Sequence, residues 1–170
     1  MAKLEIVLHP DPVLRKICEP VTEVTPQIKQ LMNDMLETMY AAPGIGLAAP
    51  QVGVLKRIIV MDLEAKDDKP GHPIKMVNPE IISFSAEQTS LEEGCLSLPD
   101  MNCDVTRPEK VVARYLDENG VEQTIDADGL LAKCIQHEID HLNGRLIFDY
   151  LSPLKRNMVL RKYNKQQKNG

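Results

Sequence analysis

No other stretch constrains this chain as tightly as Gln136-His137-Glu138-Ile139-Asp140-His141. A helix turns every 3.6 residues, so His137 and His141 leave it on one face with Glu138 alongside. Two imidazole nitrogens placed that way can share one transition-metal ion, and a neighbouring carboxylate that does not ligate is free to handle protons. Leu130, Leu131, Cys134, Ile135 and Leu142 recur at helical spacing, Asn143-Gly144 supplies a stop, and Asp126 is the expected N-cap. The plainer alternative, two histidines that only cap or pack, leaves this helical context unused.

Two ways of completing such a metal site downstream are absent. A third His six residues beyond His141 would be one, but Ile147 stands there, and no Glu follows Glu138 to serve as the other. A third protein ligand therefore has to come from upstream. The apolar stretch before His9-Pro10 is too short for an export signal, so the expected compartment is the reducing cytoplasm. There Cys18, Cys95, Cys103 and Cys134 are metal ligands or buried thiols rather than disulfide partners, and one of them is the natural candidate ligand.

A chain of 170 residues with 43% hydrophobic content suits one domain over 1–170. With 8 Met and no Trp, its core is aliphatic and thioether in character. A net charge of −5 argues against a dedicated nucleic-acid binder or sequence-specific contact with nucleic acid, and no apolar run is long enough to span a membrane.

In chain order, residues 1–24 read as an extended arm with a helical turn near Val13-Leu14. Thr25-Pro26 opens a helix whose apolar stripe is Ile28, Leu31, Met32, Met35 and Met39. The Gly44–Gly53 segment lets backbone approach a ligand or another strand; Gln51 is its one functional side chain. Arg57–Leu63 reads as a buried strand and Glu64–Pro73 as a surface loop. Met76–Phe84 reads as a strand that Pro79 places near a sheet edge. Lys110–Leu116 and Val121–Ile125 flank Asn119-Gly120 as a hairpin. Residues 151–170 form a basic helical extension with Leu151, Leu154, Met158 and Tyr163 on its apolar side. Its cations are either a solvated face or a contact for an anionic partner. The expected fold is α+β, with small antiparallel β-sheets packed around the central metal-binding helix, an N-terminal helix and a C-terminal helix.

Three blocks, in order, resemble the bacterial type of peptide deformylase: Gly44–Gly53 (GIGLAAPQVG), Glu93–Pro99 (EGCLSLP) and Gln136–Gly144 (QHEIDHLNG). The resemblance implies a metal-dependent hydrolase that removes the formyl group from formyl-methionyl nascent chains and releases formate. It implies Cys95, His137 and His141 as ligands of one divalent ion, ferrous iron foremost, with zinc, nickel or cobalt as other occupants. Glu138 is then the proton carrier. The Gln51 amide and the Leu96 backbone N–H are the donors for the oxyanion. Ile45, Gly46, Leu91, Gly94 and Cys134 are expected to border the bound peptide, and the basic extension resembles one that associates with ribosomes. One departure stands out: Asp100–Asp104 carries no basic residue, with Asn102 near where many members have one. Two other readings share the metal motif. One is a peptidase cutting internal bonds; the other is a metal-stabilised binding module without catalysis.

Overall fold

A computed structural model describes residues 3–67 and 69–169. Met1 and Ala2, at the start of the segment read as carrying no export signal, lie outside the described residues, as do Asp68 in the charged loop and Gly170.

Helix α1 (Pro26–Ala41) begins where Thr25-Pro26 requires: the Thr25 hydroxyl accepts the Ile28 N–H at 3.2 Å, and proline takes a position whose own N–H would go unused. Its stripe of Ile28, Met32, Met35 and Met39 is buried against a sheet of five antiparallel strands. These are β1 (Gly46–Ala48), β2 (Ile58–Met61), β3 (Ile74–Phe84), β6 (Lys110–Leu116) and β7 (Glu122–Asp128), in that spatial order. Strand β2 shows how the layers form. Ile58 and Val60 face α1, while Ile59 and Met61 face the opposite side, towards helix α2 (Gly129–Leu142). All four are fully buried, each worth about 1.5–3 kcal/mol of transfer free energy.

Strands β4 (Gln88–Cys95) and β5 (Leu98–Pro108) form a separate two-stranded sheet that closes over the far side of α2. Inward residues Leu98, Met101, Cys103 and Val105 pack with Phe148 and with Tyr163 of the terminal helix α3 (Pro153–Asn169). The α+β expectation holds: two antiparallel sheets flank the motif helix, with one helix before them and one after.

Four local expectations change. The N-cap of α2 is Asp128, not Asp126, because Asp126 still pairs with Val112 in the β6–β7 ladder. Asp128 makes no side-chain cap, and Gly129 at φ 56° turns the chain from strand to helix. Strand β3 lies at the centre of its sheet rather than an edge. Pro79 is tolerated because the register slips between Val77 and Glu80, and Asn78, at φ 52°, binds the Val21 N–H and C=O with its side chain. The β6–β7 loop spans residues 117–121, with the Asp117 carboxylate accepting the N–H groups of Asn119 and Val121. On α3 the packed face is Val159, Leu160 and Tyr163, whereas Leu154 and Met158 are exposed.

Candidate metal centre and its pocket

The two halves of the centre come from different elements. His137 and His141 project from one face of α2, their ring centroids 5.1 Å apart. Cys95 ends β4, where the chain turns through Leu96-Ser97 into β5 and Cys95 pairs with Leu98. The hairpin thus delivers one sulfur to the helix face. The ligating atoms of Cys95, His137 and His141 all lie within 4.8 Å of one another, and Cys95 Sγ is 3.4 Å from His141 Nε2. The other three cysteines are buried, and none of them joins this group. Burial, then Glu138 and Glu93, pushes the Cys134 thiol well up; burial, then Glu93 and Asp104, takes Cys103 to about 11. Both are held as thiols.

The surroundings suit a cation. His137 Nδ1 is 3.0 Å from Glu93 Oε1, so a proton there is held by the carboxylate and Nε2 keeps its lone pair for a metal. Burial, then the charges of His137 and Arg107, lowers the His141 pKa well below its ordinary value, which keeps that imidazole neutral as a ligand must be. Burial also opposes a proton on His137, but Glu138, Cys95 and Glu93 outweigh it. The same three groups favour a metal ion at that spot. Two imidazoles and a thiolate also form a donor set that suits first-row divalent metals and leaves further coordination to substrate or water.

Glu138 is buried, and its Oε1 has no hydrogen-bond partner among the described residues. Burial pushes its carboxyl up to about 7; His137 acts against the shift and Glu93 with it. A carboxylate poised there can both accept and return a proton near neutral pH. Gln51, also buried, directs Nε2 at Ser97 Oγ (3.1 Å) and Cys95 Sγ (3.5 Å), while its Oε1 accepts the Ala48 N–H at 2.9 Å.

These groups open into one cavity of about 780 Å³. Its lining includes Ile45, Gly46, Gln51, Leu91, Gly94, Cys95, Leu96, Cys134, His137 and Glu138, so every residue assigned to the site from the sequence except His141 borders it; His141 lies behind. Gly46 leaves room for the carboxylate: a Cβ there would collide with Glu138 Oε2 and lie 3.0 Å from Cys134 Sγ, so a side chain at this position has to displace Glu138. Asn102 faces Gly94 across the β4–β5 ladder and borders a separate small cavity, while Asp100 lines both.

The groups that hold the ligands in place carry little signal in the sequence. Arg107, 3% exposed, clamps both Glu93 oxygens through Nε and Nη2 at 2.8 and 2.9 Å, and reaches Asp140 through Nη1 at 2.8 Å. The Tyr150 hydroxyl also donates to Asp140, and its ring lies under the guanidinium. The one available signal was an arginine at the inward period of Met101, Cys103 and Val105. Lys133 and Leu130, which also line the cavity, gave none.

The family model for polypeptide deformylase matches residues 3–157, ending within α3. A peptide deformylase of Rhodopseudomonas palustris (strain TIE-1) is 53% identical over 171 aligned positions, covering 100% of this chain and 98% of that protein. One from Rhizobium meliloti is 50% identical, covering 96% and 93%. Among solved structures, the peptide deformylase of Ehrlichia chaffeensis superposes with a TM-score of 0.92 at 43% identity over 99% of this chain and 98% of its own. The same protein in complex with actinonin gives 0.89 at 45% identity over 98% of both. With agreement over nearly its whole length, the chain belongs to the polypeptide deformylase family.

Proposed function

We propose that this chain performs its family's reaction, removal of the N-terminal formyl group from formyl-methionyl nascent polypeptides, with the residues assembled above. Cys95, His137 and His141 would hold a divalent ion, which when bound would supply Lewis acidity and lower the pKa of a water towards neutral. Ferrous iron is the occupant we favour, with zinc, nickel or cobalt as substitutes. Glu138 takes the proton released by the attacking water and returns it to the departing amine, so formate and a free amino terminus leave together. The Gln51 amide and the Leu96 N–H steady the charge that grows on the formyl oxygen. Ile45, Leu91 and Cys134 receive the methionine side chain. Gly46 and Gly94, without side chains, let an extended peptide backbone lie alongside.

One observation carries this reading: a buried carboxylate, its Oε1 without a hydrogen-bond partner among the described residues, beside a Cys-His-His cluster in a peptide-sized cavity. No helix among the described residues is long and apolar enough to cross a membrane. We read residues 1–170 as one cytoplasmic catalytic unit, and 151–170 as an extension for ribosome contact. The exposed Leu154 and Met158 beside Lys155, Arg161, Lys162 and Lys165 support that contact. The discriminating experiment offers a formyl-Met peptide and its acetyl counterpart at equal concentration and follows the free amine. Turnover of the formyl peptide alone is expected. Equal turnover of both would point to a general peptidase or amidase, and turnover of neither to a binding module.

A further inference from the structure

Lys133 is out of place in a pocket for an apolar side chain. It lies one turn before His137 on the same face of α2, lines the cavity beside Leu91 and Cys134, and is only 5% exposed. Among the described residues it forms no ion pair. Its ammonium donates one hydrogen bond among the described residues, to the Thr89 carbonyl of β4, a strand paired on one edge only by β5. An ammonium carries three donors, so two remain for other acceptors. Four residues of helix rise about 6 Å, which sets Lys133 about that far along α2 from His137 and its metal-ligand cluster. An unbranched side chain running from the reacting end towards Leu130 covers a similar distance.

We propose that Lys133 sets the selectivity of this pocket, favouring an unbranched first side chain that ends in a hydrogen-bond acceptor. Methionine, whose sulfur is a weak acceptor, fits, and methionine sulfoxide, whose oxygen is a strong one, fits better than norleucine, which has neither. This inference rests on the deformylase reading: the pocket has to hold the first side chain of a formyl peptide. A buried ammonium facing only methylene groups forfeits its donors, whereas a substrate oxygen restores one of them.

The test measures kcat/KM for three formyl peptides differing only in the first residue: methionine, methionine sulfoxide and norleucine. The metal-loaded wild type is compared with Lys133→Met, which keeps length and lack of branching but removes the donors. Wild type is expected to turn over the sulfoxide at least as fast as norleucine. The sulfoxide-to-norleucine ratio is expected to fall roughly tenfold in Lys133→Met, the loss of one charge-assisted hydrogen bond. A wild type that disfavours the sulfoxide overturns the proposal, and so does a ratio unchanged by the substitution. If Lys133→Met does not fold, the wild-type comparison still decides. A lysine that only caps β4 would move the melting temperature and leave the ratio alone. Failure to release formate from the methionine peptide would instead strike the deformylase reading itself.

Discussion

Replacing Arg107 by Met removes the guanidinium fork and keeps an unbranched stem in its place. Two carboxylates then lose their cation: Glu93, which Arg107 grips at 2.8 and 2.9 Å, and Asp140, reached at 2.8 Å. Both are largely screened from water, so each would be left charged without compensation or forced to take up a proton. Breaking a buried pair by deleting one partner costs about 3–5 kcal/mol. A chain of this size loses about 2–4 °C per kcal/mol, which puts the melting temperature about 6–20 °C lower. The damage reaches the metal as well. Glu93 without Arg107 no longer holds His137 Nδ1 in one orientation, and loss of such a support weakens metal affinity about 10–100-fold. Calorimetric melting of metal-loaded protein, followed by chelator competition, measures both effects. The two positions should also be coupled: Glu93→Gln should cost less in the Arg107→Met background than in wild type, because it removes a charge already left unpaired. A melting shift below about 2 °C, or equal costs of Glu93→Gln in both backgrounds, would refute this role of Arg107.

Gly46→Ala forces the Glu138 carboxylate away from its place; kcat/KM should fall while metal content stays near one per chain, and a fully active variant would mean that this carboxylate has room to move without consequence. Asp62 anchors the 64–73 loop. Burial alone would raise its pKa, but the Tyr40 hydroxyl and the N–H groups of His72, Gly71 and Glu64 hold it below the ordinary 3.8. With a folded pKa below the unfolded one, its stabilisation is present above that ordinary value and is lost as pH falls through the folded one. Asp62→Asn should therefore melt lower than wild type at pH 7, with the gap narrowing in acid; a gap constant across pH would sink the assignment.

What could be read in advance follows from whether a signal is local. Thr25-Pro26 with its methionine stripe, and the paired histidines of α2, are periodic within one element, so their positions could be written down beforehand. Strand β4 could not: its exposed Gln88-Thr89-Ser90 shows no apolar alternation, and only the closure of the hairpin onto α2 makes it a strand. The exposed side of α3 was misjudged because Leu154 and Met158 look like core by composition. The face that meets β5 and the turn Ile147–Tyr150 is one set by Tyr163, whose hydroxyl reaches the His9 carbonyl from the far end of the chain. In the same way, the Glu93–Arg107–Asp140–Tyr150 cluster joins β4, β5, α2 and the segment after it. No spacing within any one of those elements announces it.

The central claim is that Glu138 moves the proton while Cys95, His137 and His141 alone hold the ion. Formate release by Glu138→Gln, with metal content determined on the same anaerobically prepared sample, tests it most directly. The account predicts about one metal ion per chain, as in wild type, with kcat/KM lower by about two to four powers of ten. A rate close to wild type would contradict it, and so would a variant that loses its metal together with its activity.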